Sequence, residues 1–144
     1  MYEELLKHTH SGLRWIILIL LVIAIVNAFS AKIYERKHKM INLFAMIALH
    51  TQLLIGLVLL KTSGKVNFGE GWMKDAINRF YGMEHLAGML IAITLITIGY
   101  VKSKKGTNPT EIYKPIKLFY IIGLILILAS IPWPFRANLG GGWF

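Results

Sequence analysis

The chain has 144 residues, 56% of them hydrophobic, and a mean hydropathy of +0.57. That is too apolar for an ordinary soluble domain of this length and points to a membrane protein. Cysteine is absent, which excludes disulfides, iron–sulfur clusters and thiolate metal sites, and the net charge of +9 flanks the apolar runs instead of forming a nucleic-acid-binding face.

Residues 1–10 are mixed, with Glu3, Glu4, Lys7, His8 and His10. The first expected span covers 11–30, interrupted by Arg14, with Trp15 beside it as an interface anchor. A helix needs about 20 apolar residues to cross roughly 30 Å of hydrocarbon. Ala28-Phe29-Ser30 loosely fits a signal-peptide cleavage site. The two early glutamates and the basic run that follows argue that the segment is retained. That run holds Lys32, Arg36, Lys37, His38 and Lys39, with Glu35.

The second expected span covers 40–60, with His50, Thr51 and Gln52 inside it. In the connection that follows, Trp72, Met73, Ala76, Ile77 and Phe80 recur at helical spacing and predict a short interfacial helix. The third span is expected over 82–101. A basic, turn-rich loop with Lys102, Lys104, Lys105, Gly106 and Pro109 leads to the fourth, over 116–131. Pro132-Trp133-Pro134 ends that helix, because proline cannot continue it. The tail to Phe144 is glycine-rich. There is no internal repeat and no separate soluble domain. The expected architecture is one domain over 1–144: an all-α, integral-membrane, up-down four-helix bundle with a short interfacial helix between spans two and three.

Four spans put both termini on one side. The connections 32–39 and 102–117 carry nine of the 16 basic residues and two of the seven acids. Lysine and arginine excess marks the cytoplasmic side, so both termini and the 61–81 loop are expected on the periplasmic side of a bacterial inner membrane.

Ionisable residues at the mouth of a span are costly without a partner or a role. His85 stands in Arg79-Phe80-Tyr81-Gly82-Met83-Glu84-His85, where a polar stretch becomes apolar, and His10 and His50 lie at or in other spans. At about 1.5 Å of rise per residue, His50 lies roughly 16 Å inward of Lys61, His85 roughly 9 Å inward of Arg79 and His10 roughly 4 Å inward of Lys7, all from the outer side. Neutral imidazole is a good axial ligand of haem iron, and helix bundles build cofactor sites from facing helices. The expectation is one b-type haem on edge between the helices. His50 and His85 are the favoured ligands by depth, and His10/His85 is the alternative pair. Arg14, Arg79 and Arg136 are the candidate clamps for its propionates, since arginine holds carboxylates with a planar fork.

Each residue also has an ordinary structural reading. A lone histidine in a span hydrogen-bonds across the bundle. Arg14 snorkels, Arg79 and Arg136 anchor the interface, and Glu84 pairs with Arg14 or Arg79. The four tryptophans are interface residues, and the six methionines fill the core. Two rival functions follow from the same histidines: a copper- or zinc-binding membrane protein, and a cofactor-free structural subunit of a larger membrane complex. No hydrolytic nucleophile–base arrangement and no phosphate loop is present.

The stretches His10-Ser11-Gly12-Leu13-Arg14-Trp15, His50-Thr51-Gln52-Leu53-Leu54, Arg79 to His85 and Ile131-Pro132-Trp133-Pro134-Phe135-Arg136 resemble a family of small four-span Bacteroidetes membrane proteins labelled cytochrome b. The likeness covers nearly the whole chain. It extends distantly to the cytochrome b561-type fold, which holds haem b between histidines of different helices. The resemblance implies an inner-membrane location and b-type haem. The work expected of such a protein is electron transfer through that haem, exchanging electrons with quinone and a redox partner protein, alone or in an oligomer or larger membrane complex. Those proteins commonly carry two haems on four histidines; here the fourth span has none, so the implied number is one.

Overall fold

The structure, a computed structural model, describes residues 1–144 and contains helices and no strands. Four helices are long and apolar enough to cross a membrane: α1 (Tyr2–Ser30), α2 (Arg36–Thr62), α3 (Ala76–Ser103) and α4 (Pro109–Ser130). Each begins before its apolar run; at α2, α3 and α4 a polar cap rather than hydropathy sets the start. Glu3 and Glu4 occupy the first turn of α1, where acids favour the positive helix end. Residues 2–10 are therefore helical, and His10 lies inside α1.

At the start of α2, Glu35 and His38 form a reciprocal capping box. The Glu35 N–H donates to His38 Nδ1 at 3.1 Å. The Asp75 carboxylate accepts from the Asn78 N–H at 2.8 Å and caps α3. Asn108 caps α4, with Pro109 at the first helical position, where its missing N–H costs nothing. Both α3 and α4 contain one wider π-type turn, at Phe80–Glu84 and at Ile116–Tyr120. The second follows Pro115, which cannot donate to the ladder. The interfacial helix expected over 71–80 is not a separate element. Trp72–Lys74 is one 3₁₀ turn, and Ala76 onward is already α3.

The principal packing runs in a ring: α1 on α2, α2 on α3, α3 on α4, and α4 on α1. Each helix turns one stripe inward at three- and four-residue spacing. Ile17, Leu21, Ala24 and Ala28 serve α1, and Asn42, Ala45 and Leu49 serve α2. Ala92, Ile96 and Gly99 serve α3, while Tyr113, Ile116, Tyr120, Gly123 and Ile127 serve α4. Small residues on these stripes let the backbones approach closely. The tail from Ile131 folds back across the end of the ring where α1 begins and α4 ends.

Candidate functional site

Extending the inner stripes to that end predicts which side chains meet. On α1 the stripe of Ile17 and Leu21 continues back to Arg14 and His10. The α3 stripe of Ala92 and Ile96 continues to Met89 and His85. On α2 the stripe of Ala45 and Leu49 continues to Gln52 and Gly56. His10, Arg14, Gln52, Gly56, His85 and Met89 line one cavity of about 290 Å³, at the small end of ligand pockets, roughly 300–1,000 Å³.

The His10 and His85 rings both line it and meet edge to face, with centroids 6.4 Å apart and planes at 66°. His85 Nδ1 lies 2.7 Å from the Ser130 carbonyl. A carbonyl only accepts, so Nδ1 carries the proton and Nε2 keeps its lone pair. His10 rests against Gly56, where a Cβ would stand 3.1 Å from its Cε1. The Gln52 amide donates to the His10 carbonyl at 2.7 Å and ties α2 to the site.

Four buried side-chain polar atoms lack a hydrogen-bond partner: His10 Nδ1, Arg14 Nε, Gln52 Oε1 and Asn42 Nδ2. The first three belong to residues lining this cavity. Buried polar atoms are nearly always paired with protein, ordered water or a ligand, so this cluster leaves the cavity with polar groups that can receive a partner.

The cavity wall is apolar at Ile17, Leu49, Met89, Ile93 and Ile127, and cationic at Lys7, Arg14 and Lys65. No acidic side chain lines it. Lys65 Nζ stands 4.4 Å from the Tyr81 ring centre. Partial desolvation, and then the neighbouring Lys7 charge, lower the Lys65 pKa below the ordinary lysine value. Such a lining suits a largely apolar ligand that carries anionic groups.

The tail closes one side. Arg14 Nη2 donates to the Trp143 carbonyl at 2.6 Å and to the Gly142 carbonyl at 3.3 Å. Trp15 Nε1 donates to the same Trp143 carbonyl at 3.0 Å, and the Tyr81 hydroxyl to the Leu139 carbonyl at 2.9 Å. Gly140 has φ +63°, the left-handed region glycine enters freely, and a Cβ on Gly141 would collide with the Pro132 carbonyl. Trp15, Trp133 and Trp143 pack together instead of spreading along an interface.

The expected site residues divide. His10, His85 and Arg14 line the cavity, whereas His50, Arg79 and Arg136 do not. His50 is exposed on the outer face of α2, its Nδ1 2.8 Å from the Met46 carbonyl. It is two residues from Gln52, about 200° around a helix of 3.6 residues per turn, so with Gln52 inward His50 points out. The depth ordering that favoured it ignored this rotation. Arg79 Nε instead pairs with Glu84 at 2.7 Å, one of the two partners expected for that glutamate. Arg136 Nη1 donates to the Ala129 and Ile131 carbonyls, and its guanidinium lies over the Phe80 ring. Gln52, Lys7, Lys65, Tyr81 and the tail glycines were not anticipated. The signal for Gln52 was its place on the α2 stripe; the tail gave none, because its contacts span more than 120 residues of chain.

Comparison with protein-family models, with curated proteins and with solved structures found no match.

Proposed function

We propose that this chain is a multi-pass membrane electron carrier that holds one b-type haem between His10 and His85. The supporting observation is the close pair of imidazoles at the one cavity where unpartnered buried polar atoms gather. His10 and His85 would be the two residues that hold the iron, and their 6.4 Å ring separation is the observation that supports choosing this pair.

The ligand count favours haem over a directly bound ion. No group of three or more His, Cys, Asp or Glu side chains converges anywhere in the chain. A structural zinc site usually takes four ligands, whereas haem brings its own equatorial nitrogens and asks the protein for two. When bound, the haem would supply one-electron chemistry at its iron.

The chain's own residues do the rest. The Ser130 carbonyl holds His85 with Nε2 free to ligate. Ile17, Leu49, Met89 and Ile93 exclude water and lower the local dielectric, which tunes a redox potential. Lys7, Lys65 and Arg14 would neutralise the propionates, in the role expected of Arg79 and Arg136. The open edge beside the tail would offer electron exchange with a quinone or a redox partner protein. The charge distribution supports an inner-membrane setting with both termini in the periplasm. The likeness to small four-span proteins labelled cytochrome b points the same way.

The test is the absorption spectrum of protein purified after expression with ample haem, oxidised and then reduced with dithionite. The expected result is a Soret band with sharp reduced α and β bands. A colourless protein would overturn the haem reading, and metal analysis would then decide for copper or zinc.

A further inference from the structure

The outer face of α2 carries a second feature, independent of the haem reading. His50 is exposed near the middle of a 27-residue helix, 14 residues from Arg36 and 12 from Thr62. At about 1.5 Å per residue it is roughly 18 Å from the nearer end, close to mid-membrane. Its Nδ1 must donate to the Met46 carbonyl, so Nε2 of the neutral ring is a bare acceptor turned outward. Polar groups in a span normally face the bundle or water, because hydrocarbon offers them no partner.

The next residue, Thr51, is exposed on the same side, and its hydroxyl donates to the Ile47 carbonyl at 3.1 Å. Thus acceptor and donor stand side by side. They lie along an exposed stripe of Phe44, Ile47, Leu54 and Val58, which with Thr51 follows the alternating three- and four-residue spacing that packs helix on helix. The span itself is the least covered of the four. Of its apolar window 11% is buried, against 28–33% in the others.

We propose that α2 is the interface of a two-fold symmetric dimer, in which His50 Nε2 of each copy accepts a hydrogen bond from the Thr51 hydroxyl of the other. Self-complementarity argues for a second copy rather than another protein. In a two-fold interface, if His50 meets Thr51 then Thr51 meets His50, so the outward acceptor of each copy gains a donor at once. Turning the Thr51 hydroxyl away from the Ile47 carbonyl costs little, because that carbonyl keeps its helix partner. Hydrogen bonds between spans are a common cement where lipid is as apolar as the side chains.

The absence of native cysteine makes the test clean. Leu54→Cys and, separately, Ile125→Cys on the outer face of α4 are oxidised with copper-phenanthroline in membranes. Both positions are about 60% exposed, so neither substitution disturbs the core. Leu54→Cys is expected to give disulfide-linked dimer and Ile125→Cys little. Adding His50→Leu to Leu54→Cys is expected to weaken the dimer roughly tenfold, from two bonds of about 0.6 kcal/mol each. Equal cross-linking at both positions, none at Leu54→Cys, a product of another mass, or no effect of His50→Leu would each overturn the proposal.

Discussion

Gly88 shows how little room His85 has. A Cβ there would collide with Ser130 Oγ and lie 3.1 Å from Ser130 Cβ, and the same serine's carbonyl holds His85. Gly88→Ala is expected to push the end of α4 away from α3. The cost should be about 1–3 kcal/mol, typical of one added carbon in a packed core. Removing the colliding oxygen with Ser130→Ala should recover part of that loss. A double-mutant cycle read by thermal unfolding in detergent checks it; simple additivity would mean the two residues are not in contact. At this scale the residue types of the site were legible, and their directions were only partly so. Histidines near apolar edges pointed to the end of the bundle that holds the cavity, yet depth alone selected His50. The buried stripe Asn42, Ala45, Leu49 was present in the α2 sequence and excludes His50 from the inward face. Helical phase, applied before depth, would have placed His10 rather than His50 beside His85.

The end of α4 shows how an element serves the site. The last carbonyls of a helix have no intrahelical donor. Here the Ile127 carbonyl receives the Ile131 N–H, while position 132 is proline and cannot serve Leu128. Trp133 Nε1 takes the Leu128 carbonyl at 2.9 Å, Arg136 the Ala129 carbonyl at 3.1 Å, and His85 the Ser130 carbonyl at 2.7 Å. The segment Pro132 to Arg136 is therefore a cap that leaves one carbonyl free to orient a histidine. Arg136→Ala is expected to destabilise the protein by about 1–3 kcal/mol, the usual loss for a charged hydrogen-bond donor. The loss should appear whether or not haem is supplied. If instead Arg136→Ala left the unfolding temperature unchanged and altered only haem uptake, Arg136 would be a propionate clamp after all. The terminating prolines were readable from sequence, but the donors that satisfy the freed carbonyls come from another helix and from beyond the turn.

At the scale of the whole molecule, four apolar runs sufficed to foresee four long helices, because the period and length of the pattern are local properties. The ring order and the folded-back tail depend on contacts between distant segments, and no local pattern encodes them. The proposed orientation follows from Lys32, Arg36, Lys37 and Lys39 in one connection and Lys102, Lys104 and Lys105 in another. Lys65→Cys is expected to react with an impermeant maleimide in intact spheroplasts, and Lys104→Cys only after lysis. The reverse pattern would place the cavity mouth in the cytoplasm.

The measurement closest to the central claim is the reduced absorption spectrum of His10→Ala, His85→Ala and His50→Ala beside the unaltered protein. Loss of the sharp α and β bands in the first two, with the third unchanged, is the predicted result. Bands that survive His10→Ala and vanish in His50→Ala would contradict the His10/His85 pair and restore the deeper one.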